Sequence, residues 1–144
     1  MSTRIGLQGE LIASSLLLSY GIDNDMVSKD GYDLIAWVGK KPLRVQVKAS
    51  KKPYCDNGET KFRYNFQTAY GRKKTPYSDE QCDFLILVAL DKRICYFMLP
   101  TENKTKKLYD TFVTIENEKK SFKEVIEKIQ NLCTCDAGFT HTLP

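Results

Sequence analysis

Four polar side chains near the start of the chain have types and spacings suited to chemistry. Asp33 sits inside the run Tyr32-Asp33-Leu34-Ile35-Ala36-Trp37-Val38. A carboxylate in such surroundings must face solvent, pair with a cation or bind a metal, because an isolated buried charge is too costly. Gln46 and Lys48 are two residues apart in an alternating stretch, so on a strand they share one face. Glu10 has Gly6, Leu7, Ala13 and Ser14 at helical neighbour spacing, a small and apolar stripe that could press against a sheet. Together these groups suit phosphodiester hydrolysis. Asp33 would give a carboxylate to magnesium, Gln46 an amide oxygen, Val47 its backbone carbonyl, and Glu10 would hold a metal-bound water. The metal would acidify a water, and Lys48 would orient that water or stabilise the pentavalent phosphorus. On spacing alone a plainer reading has the better claim. Any half-exposed strand can carry Gln-x-Lys on its wet face, here extended by Arg44 and Ser50, with Asp33 merely ion-paired.

The elements that must position these residues are legible in outline. Ile5, Ile12, Leu16 and Leu17 recur at helical spacing, so a helix is expected from about Thr3 to Tyr20, with Thr3 as N-cap and Gly21 as stop. A polar stretch follows, with Met26-Val27 as a short strand inside it. Tyr32 to Val38 and Leu43 to Ala49 read as a hairpin around Gly39-Lys40-Lys41-Pro42. Lys61 to Gln67 reads as a third strand with Phe62, Tyr64 and Phe66 on one side, and Gly71 to Gln81 as a polar loop. Phe84 to Leu90 and Ile94 to Leu99 form a second hairpin. Phe122, Val125, Ile126 and Ile129 mark an amphipathic helix, while the mixed charges between Glu102 and Lys128 read as solvated surface. The order predicts an α/β (α+β) single domain over residues 1–135, with a central mixed β-sheet flanked by helices whose strands lean antiparallel. Residues 136–144 read as a poorly ordered tail.

Composition narrows the function classes. A chain of 144 residues suits one hydrophobic core. His141 is the single histidine and falls in the tail, which argues against a serine or cysteine hydrolase triad. No Gly-rich phosphate-cradling run is present. The five cysteines are odd in number and irregular in spacing, so reduced thiols in a cytoplasmic setting are expected. Cys133 and Cys135 lack the further ligands of a structural zinc site. Neither a signal peptide nor a membrane span is read from the sequence.

The stretches Gly9-Glu10, Gly31-Tyr32-Asp33-Leu34 and Arg44-Val45-Gln46-Val47-Lys48-Ala49-Ser50 resemble the PD-(D/E)XK nuclease superfamily. The resemblance is nearest to a small branch that includes a group I intron-encoded homing endonuclease, and more distant to archaeal Holliday junction resolvases. Cys82-Asp83-Phe84 and Tyr96-Phe97-Met98-Leu99-Pro100 extend it, so that it covers roughly Ile5 to Pro100. It implies a restriction-endonuclease-like core and a metal-dependent DNA endonuclease using magnesium, with manganese as a substitute. Asp33 matches the metal-binding aspartate, Lys48 the lysine and Glu10 a helical glutamate. Gln46 stands where many members carry a second acidic ligand, and Tyr32 replaces the proline before the aspartate.

Eleven of the chain's 22 basic residues lie between Lys40 and Lys74, against only Asp56 and Glu59 among the acids. Such a concentration around the catalytic strand is the expected electrostatic footprint for double-stranded or branched DNA. Candidate DNA contacts are Lys40, Lys41, Arg44, Ser50, Lys51, Lys52, Arg63, Gln67, Tyr70, Arg72, Lys73 and Lys74, with Arg72-Lys73-Lys74 as a flexible gripping loop. Tyr54, Tyr64, Tyr70 and Tyr77 are interleaved and offer stacking surfaces. Cutting both strands needs two active sites, so a homo-oligomer, dimer or tetramer, is expected. A resolvase for branched DNA and a catalytically silent DNA-binding module are the alternatives.

Overall fold

The computed structural model describes residues 3–29 and 31–133. The expected tail with its His141, and Cys135 at the end of the expected domain, lie outside the described residues. The first helix, α1 (Arg4–Ser19), starts as expected: the Thr3 hydroxyl accepts the Gly6 N–H at 3.0 Å. Its buried side is Gly9, Glu10, Ala13 and Leu17. Ile5, expected in the apolar stripe, is instead 42% exposed. Small residues rather than large ones let this helix lie close to the sheet.

The strands in chain order are β1 (Asn24–Lys29), β2 (Tyr32–Val38), β3 (Lys41–Ser50), β4 (Arg63–Gln67), β5 (Ala69–Tyr70), β6 (Thr75–Pro76), β7 (Phe84–Ala89), β8 (Ile94–Met98) and β9 (Thr105–Tyr109). A one-turn 3-10 helix at Asp110–Phe112 leads to α2 (Ile115–Cys133). The main sheet has the order β1-β2-β3-β7-β8. Its neighbours are antiparallel except at the centre, where β3 and β7 run parallel with Gln46 opposite Leu85 and Lys48 opposite Leu87. The sheet is thus mixed, as expected from the sequence, with β3 and β7 as its parallel pair among the antiparallel neighbours. Between the two strands the chain crosses the sheet through β4 to β6 and re-enters in the same direction. Every residue of β7 is buried, as a strand covered on both faces requires.

Two clusters account for that cover. On one face Ala13 and Leu17 of α1 and Phe122, Val125, Ile126 and Ile129 of α2 pack on Leu34, Val45, Val47, Phe84, Ile86 and Phe97. On the other, Tyr64, Phe66, Tyr77 and Leu108 pack on Leu85, Leu87 and Met98. Both helices thus sit on one side, and the small antiparallel pair β4–β9 covers the other. The sequence reading differs from this layer at three places. The third strand begins at Arg63, so Phe62 stands outside it and is 54% exposed while Tyr64 and Phe66 are buried. β9 arises from a stretch read as solvated, because only Leu108 of its five residues is buried. The loop expected from Gly71 to Gln81 contains the end of a short hairpin, β5 with β6.

The outer edge of β8 is closed by α2. Glu118 Oε2 accepts the Cys95 N–H at 2.7 Å, and Ser121 Oγ accepts the Phe97 N–H at 3.0 Å. Among the described residues no helix is long and apolar enough to cross a membrane.

Candidate active site

The ladder between β2 and β3 ends at Leu34 opposite Val45. Past that point β3 continues beside β7, and the Val47 N–H that would have met β2 is instead accepted by Asp33 Oδ2 at 2.9 Å. The same oxygen accepts Gln46 Nε2 at 2.8 Å. Asp33 therefore takes over the hydrogen bonding of a strand that has parted from its neighbour, which fixes the carboxylate at the split. The Gln46 amide nitrogen also donates to the Val47 carbonyl at 3.3 Å. As placed, the amide is a donor bridging two oxygens, both of which were expected to ligate metal; a half-turn about its last bond would present the oxygen there instead.

Glu10 reaches this region from the helix layer. Its neighbour Gly9 lies so close to β3 that a Cβ there would stand 2.8 Å from the Ala49 Cβ. Glu10 is 5% exposed. No hydrogen bond or ion pair to its carboxylate is found among the described residues. Burial holds the Asp33 carboxyl above its ordinary value, opposed by the Val47 N–H, and the negative charge of Glu10 pushes it further up. Two carboxylates that repel each other in a desolvated place suit a shared cation. The donors here, two carboxylates with an amide and a backbone carbonyl, are all hard oxygens, so they fit magnesium. Among the described residues no three His, Cys, Asp or Glu side chains gather at one point, which leaves such an ion to complete its shell with neutral oxygens, as magnesium commonly does with water.

Lys48 shares the Gln46 face of β3. Burial lowers its pKa, Asp33 opposes that shift, and Lys74 adds to it. Its Nζ lies 5.1 Å from the centroid of the Tyr77 ring. Hydrogen bonds thus join Asp33 and Gln46 at one split in the sheet, with the charges of Glu10 and Lys48 within electrostatic reach of Asp33.

The fold recurs in a solved structure. That structure is the bacterial homing endonuclease I-Ssp6803I, which superposes with a TM-score of 0.64 at 21% identity over 94% of this chain and 98% of that one. The likeness shows a shared fold. No family model matches the sequence, and no curated protein matches it.

The fold distributes the remaining sequence candidates unevenly. Lys40, Lys51, Lys52, Arg72, Lys73 and Lys74 are exposed. Gln67 and Tyr70 are exposed too, at the ends of β4 and β5, whereas Lys41 and Ser50 are half-buried. Two arginines have internal partners. Arg44 donates from Nη1 to the Glu80 carbonyl at 2.7 Å, from Nη2 to the Asp79 carbonyl at 2.6 Å and to Asp83 through its side chain and its backbone N–H. Arg63 bridges Asp56 at 2.7 Å and Glu59 at 2.8 Å. The loop expected to grip DNA is a tight hairpin tip, with Gly71 and Lys74 both at positive φ and the Lys74 N–H on the Gly71 carbonyl at 3.3 Å. Of the four tyrosines read as stacking surfaces, Tyr64 and Tyr77 are buried, at 0% and 6% exposure. Sequence reasoning missed Tyr77 as a neighbour of Lys48. The available signal was an aromatic residue directly after Pro76, at the foot of the basic tip.

Proposed function

We propose that this chain is a magnesium-dependent endonuclease of the PD-(D/E)XK type acting on double-stranded DNA. The observation that carries the reading is the meeting of Glu10, Asp33, Gln46 and Lys48 where β2 and β3 part. Asp33 and the Val47 carbonyl would hold the cation, with Glu10 acting through water and the Gln46 amide turned to offer oxygen. When bound, the cation supplies charge neutralisation at the phosphate and lowers the pKa of water. Lys48 places positive charge where negative charge develops on the phosphorus. Burial strengthens that effect, since the low local dielectric weakens screening. The Val47 N–H holds Asp33 Oδ2 at the split whichever way the Gln46 amide is turned.

The DNA backbone is assigned to the exposed lysines and to the 71–74 tip, whose Lys74 lies within electrostatic reach of Lys48. Arg44 and Arg63 are assigned to holding loops, because their guanidinium groups already have carboxylate or carbonyl partners. Two copies of the chain would be needed to cut both strands. The fold shared with a homing endonuclease supports DNA as the substrate class, and the basic cluster supports it independently.

The test is plasmid cleavage in magnesium against EDTA, run beside a four-way junction. Magnesium-dependent cutting of plasmid is expected, absent in Asp33→Ala and slowed about a hundredfold in Lys48→Ala, with DNA binding kept in both. Cleavage in EDTA, or wild-type cutting by Asp33→Ala, would overturn the proposal. Selective cutting of the junction would move it to a resolvase.

A further inference from the structure

We propose that Tyr77 is the positioning residue for Lys48, seating the ammonium on its ring; the effect on cleavage rests on the nuclease reading above. A lysine head on four methylenes has many rotamers and must be held to act at one point. Among the described residues no hydrogen bond or ion pair holds the Lys48 ammonium. Its observed close contact is the Tyr77 ring, 5.1 Å from Nζ to centroid, within the range at which an aromatic face attracts a cation.

The ring is itself immobilised. Tyr77 is 6% exposed and belongs to the cluster with Tyr64, Phe66 and Cys82. Its backbone N–H donates to the Thr68 carbonyl at 3.3 Å, and Thr68 is tied in turn to Lys104 at 2.8 Å and Asn103 at 2.7 Å. The Tyr70 ring lies against it at 5.2 Å. Burial pushes the Tyr77 hydroxyl up to about 12, so a neutral phenol faces the lysine. Tyr70 and Tyr77 flank the hairpin whose tip carries Arg72, Lys73 and Lys74. The platform under Lys48 and the basic tip therefore belong to one hairpin, and a shift of the tip on DNA would reach the seat of the lysine through its paired strands.

Two measurements test this. The first is the proton spectrum of the Lys48 side chain, assigned by its loss in Lys48→Ala. Ring-current displacement of its terminal methylene is expected in the wild type and in Tyr77→Phe, and its absence in Tyr77→Leu. The second is a cleavage cycle under saturating DNA. Tyr77→Leu should slow turnover about tenfold at unchanged DNA affinity. Tyr77→Phe should restore it to within about twofold of wild type, since it keeps the cation-attracting face. Tyr77→Leu added to Lys48→Ala should slow it no further. Unchanged DNA affinity shows that the variants fold. No ring-current displacement in the wild type, an additive double mutant, or equal loss in Tyr77→Phe would overturn the inference. Failure of the wild type to cut DNA would sink the nuclease reading alone, because the ring-current result still decides whether Tyr77 seats Lys48.

Discussion

Gly9→Ala separates what holds the fold from what aligns the site. A Cβ at residue 9 would stand 2.8 Å from the Ala49 Cβ, with Val47 Cγ1 at 3.6 Å. Non-bonded carbons settle at about 3.5–4.0 Å, so α1 must retreat from β3 by roughly 0.7–1.2 Å. Overpacking of this kind costs about 1–3 kcal/mol. Replacing a mid-helix glycine by alanine returns roughly 1 kcal/mol of helix propensity. The net loss of stability is therefore about 0–2 kcal/mol, small enough for the protein to remain folded. Glu10 is the next residue on the same helix and moves with it. A misplacement of about 1 Å can cost about a hundredfold in rate. Urea unfolding and plasmid cleavage should thus diverge, with a slight change in the first and a large one in the second. Ala49→Gly removes the clashing atom and leaves only ordinary contacts at 3.6 and 3.8 Å. Added to Gly9→Ala it should restore most of the rate, although glycine in a strand costs about 0.5–1 kcal/mol. Wild-type cleavage by Gly9→Ala, or a double mutant as slow as the single one, would refute the reasoning.

Three other perturbations follow from the same geometry. Asp33 has its folded pKa raised by burial and Glu10, so the native state binds that proton more tightly than the unfolded one; its favourable contribution is present below the ordinary value of 3.8 and is lost as pH rises through the raised value. Asp33→Asn, which keeps an oxygen for both donors, should therefore be more stable than wild type to urea in EDTA at neutral pH, with the gap closing in acid; a less stable mutant at neutral pH would contradict this. Gln46→Glu places a carboxylate 2.8 Å from Asp33 Oδ2 in place of a donor, so thermal melting should fall without metal and recover in magnesium, and a magnesium titration with an unmoved midpoint would remove Gln46 from the ligand set. Neutralising Arg72, Lys73 and Lys74 together should weaken binding to all sequences and flatten log affinity against log salt by roughly 0.9 per lost phosphate contact, as read by binding assays across salt concentrations.

The residues that could do chemistry were legible because local rules govern them. Thr3 caps α1, and Gln46 and Lys48 share a face by strand alternation alone. Pairings distant in sequence were not legible. Nothing local says that β3 and β7 run parallel, or that Arg44 meets Asp83, because both depend on the crossover between them. β9 was hidden because it lies on a two-stranded layer that buries one face, and Leu108 alone gives too weak a pattern against Lys106 and Lys107. Tyr77 was hidden for the opposite reason. It lies in a polar stretch that reads as loop, yet the hairpin carries its ring under the sheet, where it meets Lys48. The split at Asp33 was legible only as an anomaly, a carboxylate where an apolar strand should continue.

The seal on β8 has a consequence for the order in which this chain is made. The Cys95 and Phe97 N–H groups are closed by Glu118 and Ser121, and both caps reside on the last element of the described chain. Until α2 has emerged from the ribosome and docked, the sheet presents an unpaired strand edge to any extended peptide nearby. The apolar strands Phe84–Ala89 and Ile94–Met98 leave the ribosome before their guard. Synthesis therefore passes through an interval in which a nascent chain can template its neighbour on the same polysome, and it is the arrival of Ser121, about two helical turns into α2, that ends it.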